Sequence, residues 1–148
     1  MNKKTIFLAV FLLFPLMASA LDLGLVAGSS SRPSSFFYGF SLGTGIVIPM
    51  LKLEFEGWRS AETGMNSLSA TVKFRPKFGA FAPYVALGAG SEFTRLNFRF
   101  SEYDFFTSVG GGFHLFFTSM ISLRADLRFL KLPGVKKTRI GGGFFIHL

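Results

Sequence analysis

Apolar and polar side chains alternate with a period of two in one segment after another from residue 21 onward. In residues 138–148, one face carries Ile140 and Ile146, while the other carries Arg139 and glycines. A period of two is that of a β-strand whose two faces meet different surroundings. A final strand of this kind indicates a membrane barrel that has lipid outside and a packed polar interior.

The alternation predicts eight strands, at 21–29, 38–48, 51–58, 66–75, 82–93, 104–116, 121–131 and 138–148. About ten residues suffice for a tilted strand to cross a bilayer, and the strand number is even, as in bacterial barrels. The predicted fold class is all-β, an eight-stranded antiparallel transmembrane β-barrel in up-and-down meander order. Turns at 49–50, 76–81 and 117–120 would face the periplasm, and loops at 30–37, 59–65, 94–103 and 132–137 the outside.

Residues 1–20 have the pattern of a cleaved secretory signal peptide. A cationic start, Asn2-Lys3-Lys4, precedes the apolar run 6–17 and the small-residue site Ala18-Ser19-Ala20. This leaves 21–148 as the barrel domain and predicts export across the inner membrane. The alternative is an uncleaved membrane anchor.

Composition narrows the choice of protein class. Charged residues make up 16% of the chain, below the usual quarter, and there are 21 Phe and 17 Gly. After residue 20, no apolar run is long enough to cross a bilayer as a helix, so a closed barrel is the remaining membrane fold. The absence of cysteine excludes disulfides and thiolate metal sites. A soluble lipid-binding β-barrel is the rival fold.

Three predicted strands resemble those of a known family. They are Pro83 to Gly90, Val109 to Gly112 and Ile121 to Phe129, which are similar to strands of small outer-membrane barrels of the OmpA/OmpX/OmpW type. The resemblance implies the outer membrane of a Gram-negative-type bacterium and assembly by the barrel-assembly machinery through the C-terminal strand. One departure is Leu148, since the family usually ends in Phe or Trp.

Charged side chains divide by face into an interior set and a rim. The interior holds equal numbers of cations and anions, as a buried set of charges requires. Asp22, Glu92 and Asp104 belong to this interior set, together with the predicted charge network of Lys52, Glu54, Glu56, Lys73, Arg75, Arg124, Asp126, Arg128 and Arg139. We expect a structural network here, with an ion path as the alternative.

Turn lengths predict how these side chains face inward glycines. A tight turn at 49–50 places Glu54 opposite Gly45, and the turn at 117–120 places Asp126 opposite Gly112. A six-residue loop at 132–137 places Gly143 beside Asp126 on the other side. The glycines would thus make room for charged side chains in a barrel that is filled rather than open.

The remaining cations fall mainly at the outer rim. They predict contact with lipopolysaccharide phosphates, which arginine grips in bidentate fashion, and they are Arg32, Arg59, Arg95, Arg99, Lys131, Lys136 and Lys137. The alternative is a rim that only settles the barrel in its leaflet. Nucleic acid is not an expected partner, because the basic residues surround a rim rather than follow a groove.

No catalytic residue, metal site or cofactor is predicted. The two histidines, His114 and His147, point inward near the periplasmic end, whereas an enzyme acting on outer-leaflet lipid needs its base near the outer half. Barrel deacylases carry a His-x-Ser-Asn stretch, but this chain continues from His114 as Leu-Phe-Phe. Ser108 and Ser119 appear without a histidine–carboxylate relay.

We therefore expect a monomeric, non-enzymatic outer-membrane protein with a structural or surface-interaction role. A small pore or hydrophobic-solute channel is the alternative, and a lipid A-modifying enzyme is the third hypothesis.

Overall fold

The computed structural model describes residues 21–46, 48–94 and 103–148. The predicted signal peptide lies outside these ranges, as do the rim residues Arg95 and Arg99. Eight strands follow one another: β1 Leu21–Ser30, β2 Ser35–Gly45, β3 Leu51–Ser60, β4 Asn66–Phe74, β5 Phe81–Phe93, β6 Asp104–Phe116, β7 Ile121–Leu132 and β8 Val135–His147. Each strand pairs antiparallel with the next, and β8 pairs with β1, so the sheet is a closed barrel in meander order. The predicted fold class is confirmed.

The alternating pattern sorts side chains between two environments. Leu25 and Ile140 are 70% and 63% exposed on the outer surface, while Glu56 and Arg128 inside are 1% and 2% exposed. Because the barrel is closed, its strand backbones satisfy one another and leave no edge for lipid to meet. No helix in the described ranges is long and apolar enough to span a bilayer. We call the end that carries the β2–β3, β4–β5 and β6–β7 connections the periplasmic end, following the predicted orientation.

The β7–β8 connection is shorter than predicted. Leu132 pairs with Val135, so the turn consists of residues 133–134, with Gly134 at a φ of +73°. The predicted six-residue loop is therefore wrong, and β8 is displaced by two residues. Asp126 faces Gly141 in place of the predicted Gly143.

The β2–β3 connection is longer than predicted. Strand β2 ends at Gly45, and Glu54 faces Gly43 rather than Gly45. At β6–β7, however, the predicted pairing of Asp126 with Gly112 is confirmed. Both errors are of two residues, which leaves every side chain on its predicted face.

Part of the interior is apolar at the outer end. A buried cluster there consists of Phe37, Trp58, Phe106, Leu130 and Leu132, with the Phe37 and Trp58 ring centroids 5.6 Å apart. The expectation of a polar interior is therefore only partly met at this end. A layer of buried charged side chains lies below this cluster, and a smaller group of polar side chains fills the periplasmic end.

Candidate functional site

The middle of the barrel contains a charged layer that crosses the lumen. Arg124 on β7 places Nη1 2.9 Å from Glu54 Oε1 and Nη2 2.7 Å from Glu56 Oε1, both on β3. Arg139 on β8 approaches the other oxygen of Glu56, at 2.6 Å. These contacts tie the two opposite walls of the barrel together.

The remaining carboxylate of this layer is also paired. Arg128 Nε lies 3.1 Å from Asp126 Oδ1, and the Tyr84 hydroxyl donates a hydrogen bond to the same carboxylate. Lys73 Nζ lies 2.5 Å from Glu54 Oε1. Each buried carboxylate of the layer thus meets at least one cation, as buried charges require.

Seven of the nine predicted network residues belong to this charged layer: Glu54, Glu56, Lys73, Arg124, Asp126, Arg128 and Arg139. The structure places the other two, Lys52 and Arg75, at the periplasmic end. There they approach Asp22 Oδ2 at 3.8 and 2.9 Å. Asp104, predicted to point inward, is exposed because it begins β6 at the open end of the strand.

Glycines make the room that the charged side chains occupy. A Cβ added to Gly112 would lie 2.0 Å from the Ala125 carbonyl oxygen and 2.8 Å from the Tyr84 hydroxyl. One added to Gly110 would lie 2.1 Å from the Leu127 carbonyl oxygen. Such distances are far below van der Waals contact, so a side chain at either position would displace the strand beside it.

The periplasmic end holds a second group of polar side chains. His147 Nδ1 lies 2.6 Å from Asp22 Oδ1, and His147 Nε2 lies 2.7 Å from Ser122 Oγ. His114 Nδ1 lies 2.9 Å from the same hydroxyl, and Arg75 Nη1 lies 3.5 Å from His114 Nε2. We call these five residues the periplasmic ring. Among the described residues, no group of three or more His, Asp or Glu side chains could hold a metal ion.

Both histidines lie in this region, as their positions in the sequence predict, but Ser122, which lies between them, was not predicted as a site residue. The available signal was the alternation of β7, because Ser122 lies on the same inward face as Arg124 and Asp126. What the sequence lacked was the alignment of β1 with β8, because no turn connects these strands. That alignment pairs Asp22 with His147.

Three of the predicted rim cations gather on the outer surface. Lys131 on β7 faces Lys136 on β8 directly, and both side chains are exposed. Ser31 donates its backbone N–H to the Thr138 carbonyl at 2.8 Å, which brings the neighbouring Arg32 to the same groove. We call Arg32, Lys131 and Lys136 the cationic patch.

The other rim residues lie elsewhere. Arg59 is exposed on β3, four strands away around the barrel from Lys131. Lys137, predicted at the rim, instead points inward and lies 2.5 Å from Glu92 Oε2. The short β7–β8 turn explains this correction, because it extends β8 and puts Lys137 at an inward position of the strand.

Apolar side chains lie directly below the cationic patch. Leu87, Val109 and Phe129 on adjacent strands form a lipid-facing row that is 66%, 52% and 52% exposed, and they line the same groove as the cations. The groove is therefore charged toward the outside and apolar toward the membrane.

Comparisons with known proteins identify the class of fold. The chain is similar to the N-terminal β-barrel domain of Pseudomonas aeruginosa OprF, with a TM-score of 0.75 at 15% identity over 87% of this chain and 97% of that one. For Neisserial surface protein A, the TM-score is 0.61 at 15% identity, over 86% and 95%. For the outer membrane enzyme PagL, it is 0.56 at 15% identity, over 84% and 98%.

The protein thus has the fold of the small eight-stranded outer-membrane β-barrels. Identities this low show the fold alone, and the similar structures include both an enzyme and surface proteins. No protein-family model matches the chain, and no curated protein does.

Proposed function

We propose that this protein is a monomeric structural barrel of the outer membrane that binds lipopolysaccharide phosphates through the cationic patch. One observation carries the proposal: three exposed cations stand directly above an apolar, lipid-facing row in one groove. Lipid A has the complementary arrangement, with phosphates at the interface and acyl chains below. Arg32 supplies a planar donor group suited to phosphate, and the lysines supply compact charges.

The charges of the patch favour an anion from outside the protein. Lys131 and Lys136 face each other across neighbouring strands, an arrangement that is destabilising for like charges. No carboxylate in the described ranges forms an ion pair with either one. A bound phosphate between them would remove the repulsion.

The interior supports a structural role over a pore. The charged layer and the apolar cluster above it fill the lumen, and the space between Ser69, Arg128 and Arg139 has no room for a water molecule. Eight-stranded barrels are commonly filled in this way. We expect no stepwise conductance from the purified protein in planar bilayers, and steady single-channel openings would instead support the channel alternative.

The binding proposal is tested with the double variant Lys131→Gln/Lys136→Gln, refolded into vesicles that contain purified lipopolysaccharide. Each lysine near an anionic surface contributes about 1 kcal/mol, so we expect binding to weaken about 30-fold. The matched control is Lys77→Gln, which removes one exposed charge at the periplasmic end. Equal binding by the double variant and the wild type would contradict the proposal.

A further inference from the structure

The periplasmic ring is a closed cycle of hydrogen bonds whose directions can be assigned. The guanidinium of Arg75 only donates, so His114 Nε2 accepts and its Nδ1–H donates to Ser122 Oγ. The carboxylate of Asp22 only accepts, so His147 carries its proton on Nδ1. His147 Nε2 is then free to accept the Ser122 hydroxyl proton, at 2.7 Å.

This assignment gives Ser122 the surroundings of an activated nucleophile. A serine hydroxyl donating to Nε2 of a histidine, whose Nδ1–H is held by a carboxylate, is the arrangement that serine hydrolases use on unrelated folds. We propose that Ser122 is a nucleophile toward small carboxylic esters that enter from the periplasmic end, with His147 as its general base. This inference is independent of the cationic patch, which lies at the other end of the barrel.

Neighbouring groups fix the geometry of the base. Arg75 Nη2 holds Asp22 Oδ2 at 2.9 Å, which leaves Oδ1 directed at His147. Lys52 approaches the same Oδ2 at 3.8 Å. Asp22 and Arg75 are therefore positioning residues, because Asp22 acts on Ser122 through the imidazole of His147, and Arg75 acts through Asp22 and through His114.

Access to Ser122 limits the size of the substrate. Ser122 is fully buried, while the side chain of His147 keeps 10% of its surface exposed at the mouth of the barrel. The ring of Phe116 lies at the same end of the barrel, with its centroid 4.7 Å from that of His147. An ester must pass these two rings, which favours a short, unbranched acyl group.

The reaction balances with water as the only co-reactant. Ser122 Oγ forms a bond to the acyl carbon as its proton moves to His147 Nε2, and the ester C–O bond breaks as that proton passes to the leaving alkoxide. His147 then takes a proton from water, the hydroxide attacks the acyl-serine, and the proton returns to Oγ. The products are a carboxylic acid and an alcohol.

The chain contains matched internal controls. Ser41 and Ser67 are also buried and face inward, but their hydroxyls have no hydrogen-bond partner. They have the burial of Ser122 without a histidine, so any reagent that modifies buried serines without activation would modify them as well.

The test treats the folded barrel in detergent micelles with methanesulfonyl fluoride, a small unbranched serine reagent, followed by peptide mass mapping. We expect one adduct, at Ser122, with none at Ser41 or Ser67. His147→Gln should lower the labelling rate about 100-fold or more, since a positioned base contributes at least that much. Ser41→Ala should leave the rate unchanged, and the slower migration of boiled samples on a denaturing gel verifies folding of every variant.

Asp22 has its own readout, because a purely structural role would not alter how the labelling rate depends on pH. Asp22→Asn should slow labelling and shift the pH profile of its rate, and Asp22→Glu should recover part of the rate. Absence of a Ser122 adduct in the folded wild-type protein would overturn the proposal. So would equal labelling of Ser122 in folded His147→Gln. If that variant does not fold, the comparison of Ser122 with Ser41 and Ser67 in the wild type decides alone.

Discussion

The charged layer and the periplasmic ring are both buried and polar, but they are built on different principles. In the charged layer, cations and carboxylates are in direct contact. The carboxylate of Glu56, for example, contacts both Arg124 and Arg139, at 2.7 and 2.6 Å. The periplasmic ring contains one Arg75–Asp22 ion pair, and its other three members are Ser122 and the two imidazoles on either side of it. The first arrangement holds its charges in place, whereas the second allows a proton to move from one group to the next. This difference distinguishes a structural core from a site that can support proton transfer.

The largest expected effect is on the charged layer. Arg124→Met removes a close partner that Glu54 and Glu56 share, and breaking a buried pair costs about 3–5 kcal/mol. Urea unfolding in lipid vesicles measures the loss of unfolding free energy. A variant as stable as the wild type would show that the layer contributes little.

A smaller effect is expected from filling the space beside each region. Gly112→Ala places a methyl group 2.0 Å from the Ala125 carbonyl oxygen, and overpacking of this kind costs about 1–3 kcal/mol. Gly43→Ala meets Asp22 Cβ at 3.2 Å, a much milder overlap, and should cost less. The same urea titrations give both values. The reverse order would mean that the periplasmic end is the more rigid of the two.

The smallest expected effect on stability is in the periplasmic ring. Ser122→Ala removes a hydroxyl that serves two histidines and leaves a buried imidazole N–H without its partner, a loss of about 1–3 kcal/mol at the low end of that range. Labelling at this position by methanesulfonyl fluoride should disappear altogether. A loss of stability as large as that of Arg124→Met would contradict the contrast between the two regions.

The sequence predicted the barrel and its faces because a strand exposes successive side chains to opposite sides. That rule needs no knowledge of turn length, and errors of two residues at Glu54 and Asp126 left both side chains inside. The turn lengths themselves were harder to predict. Pro133-Gly134 is a recognisable turn signal, and reading it as such would have corrected the β7–β8 register.

The candidate sites were predicted only in part. The alternation along each strand identifies most charged-layer residues. Their partners, however, lie across the lumen, where strand tilt and side-chain length determine which groups are in contact. The inward positions of Trp58 and Leu130 were available from the same alternation, yet the apolar cluster emerges only when β2, β3, β6 and β7 are brought together. The cationic patch depends on the path of the loop that carries Arg32.

The charged layer also bears on the order in which the barrel forms. Its contacts join β3 to β7 and β8, and the partners are separated by 70 positions in sequence for Glu54 and Arg124 and by 83 for Glu56 and Arg139. A partial sheet that contained only β1 to β4 would include both glutamates of the layer but only one of its cations, Lys73. Arrival of the last two strands supplies the missing cations, so the final step of assembly gains contacts that no partial sheet possesses. Closure is thereby made cooperative, and an incomplete barrel is unfavourable in the membrane.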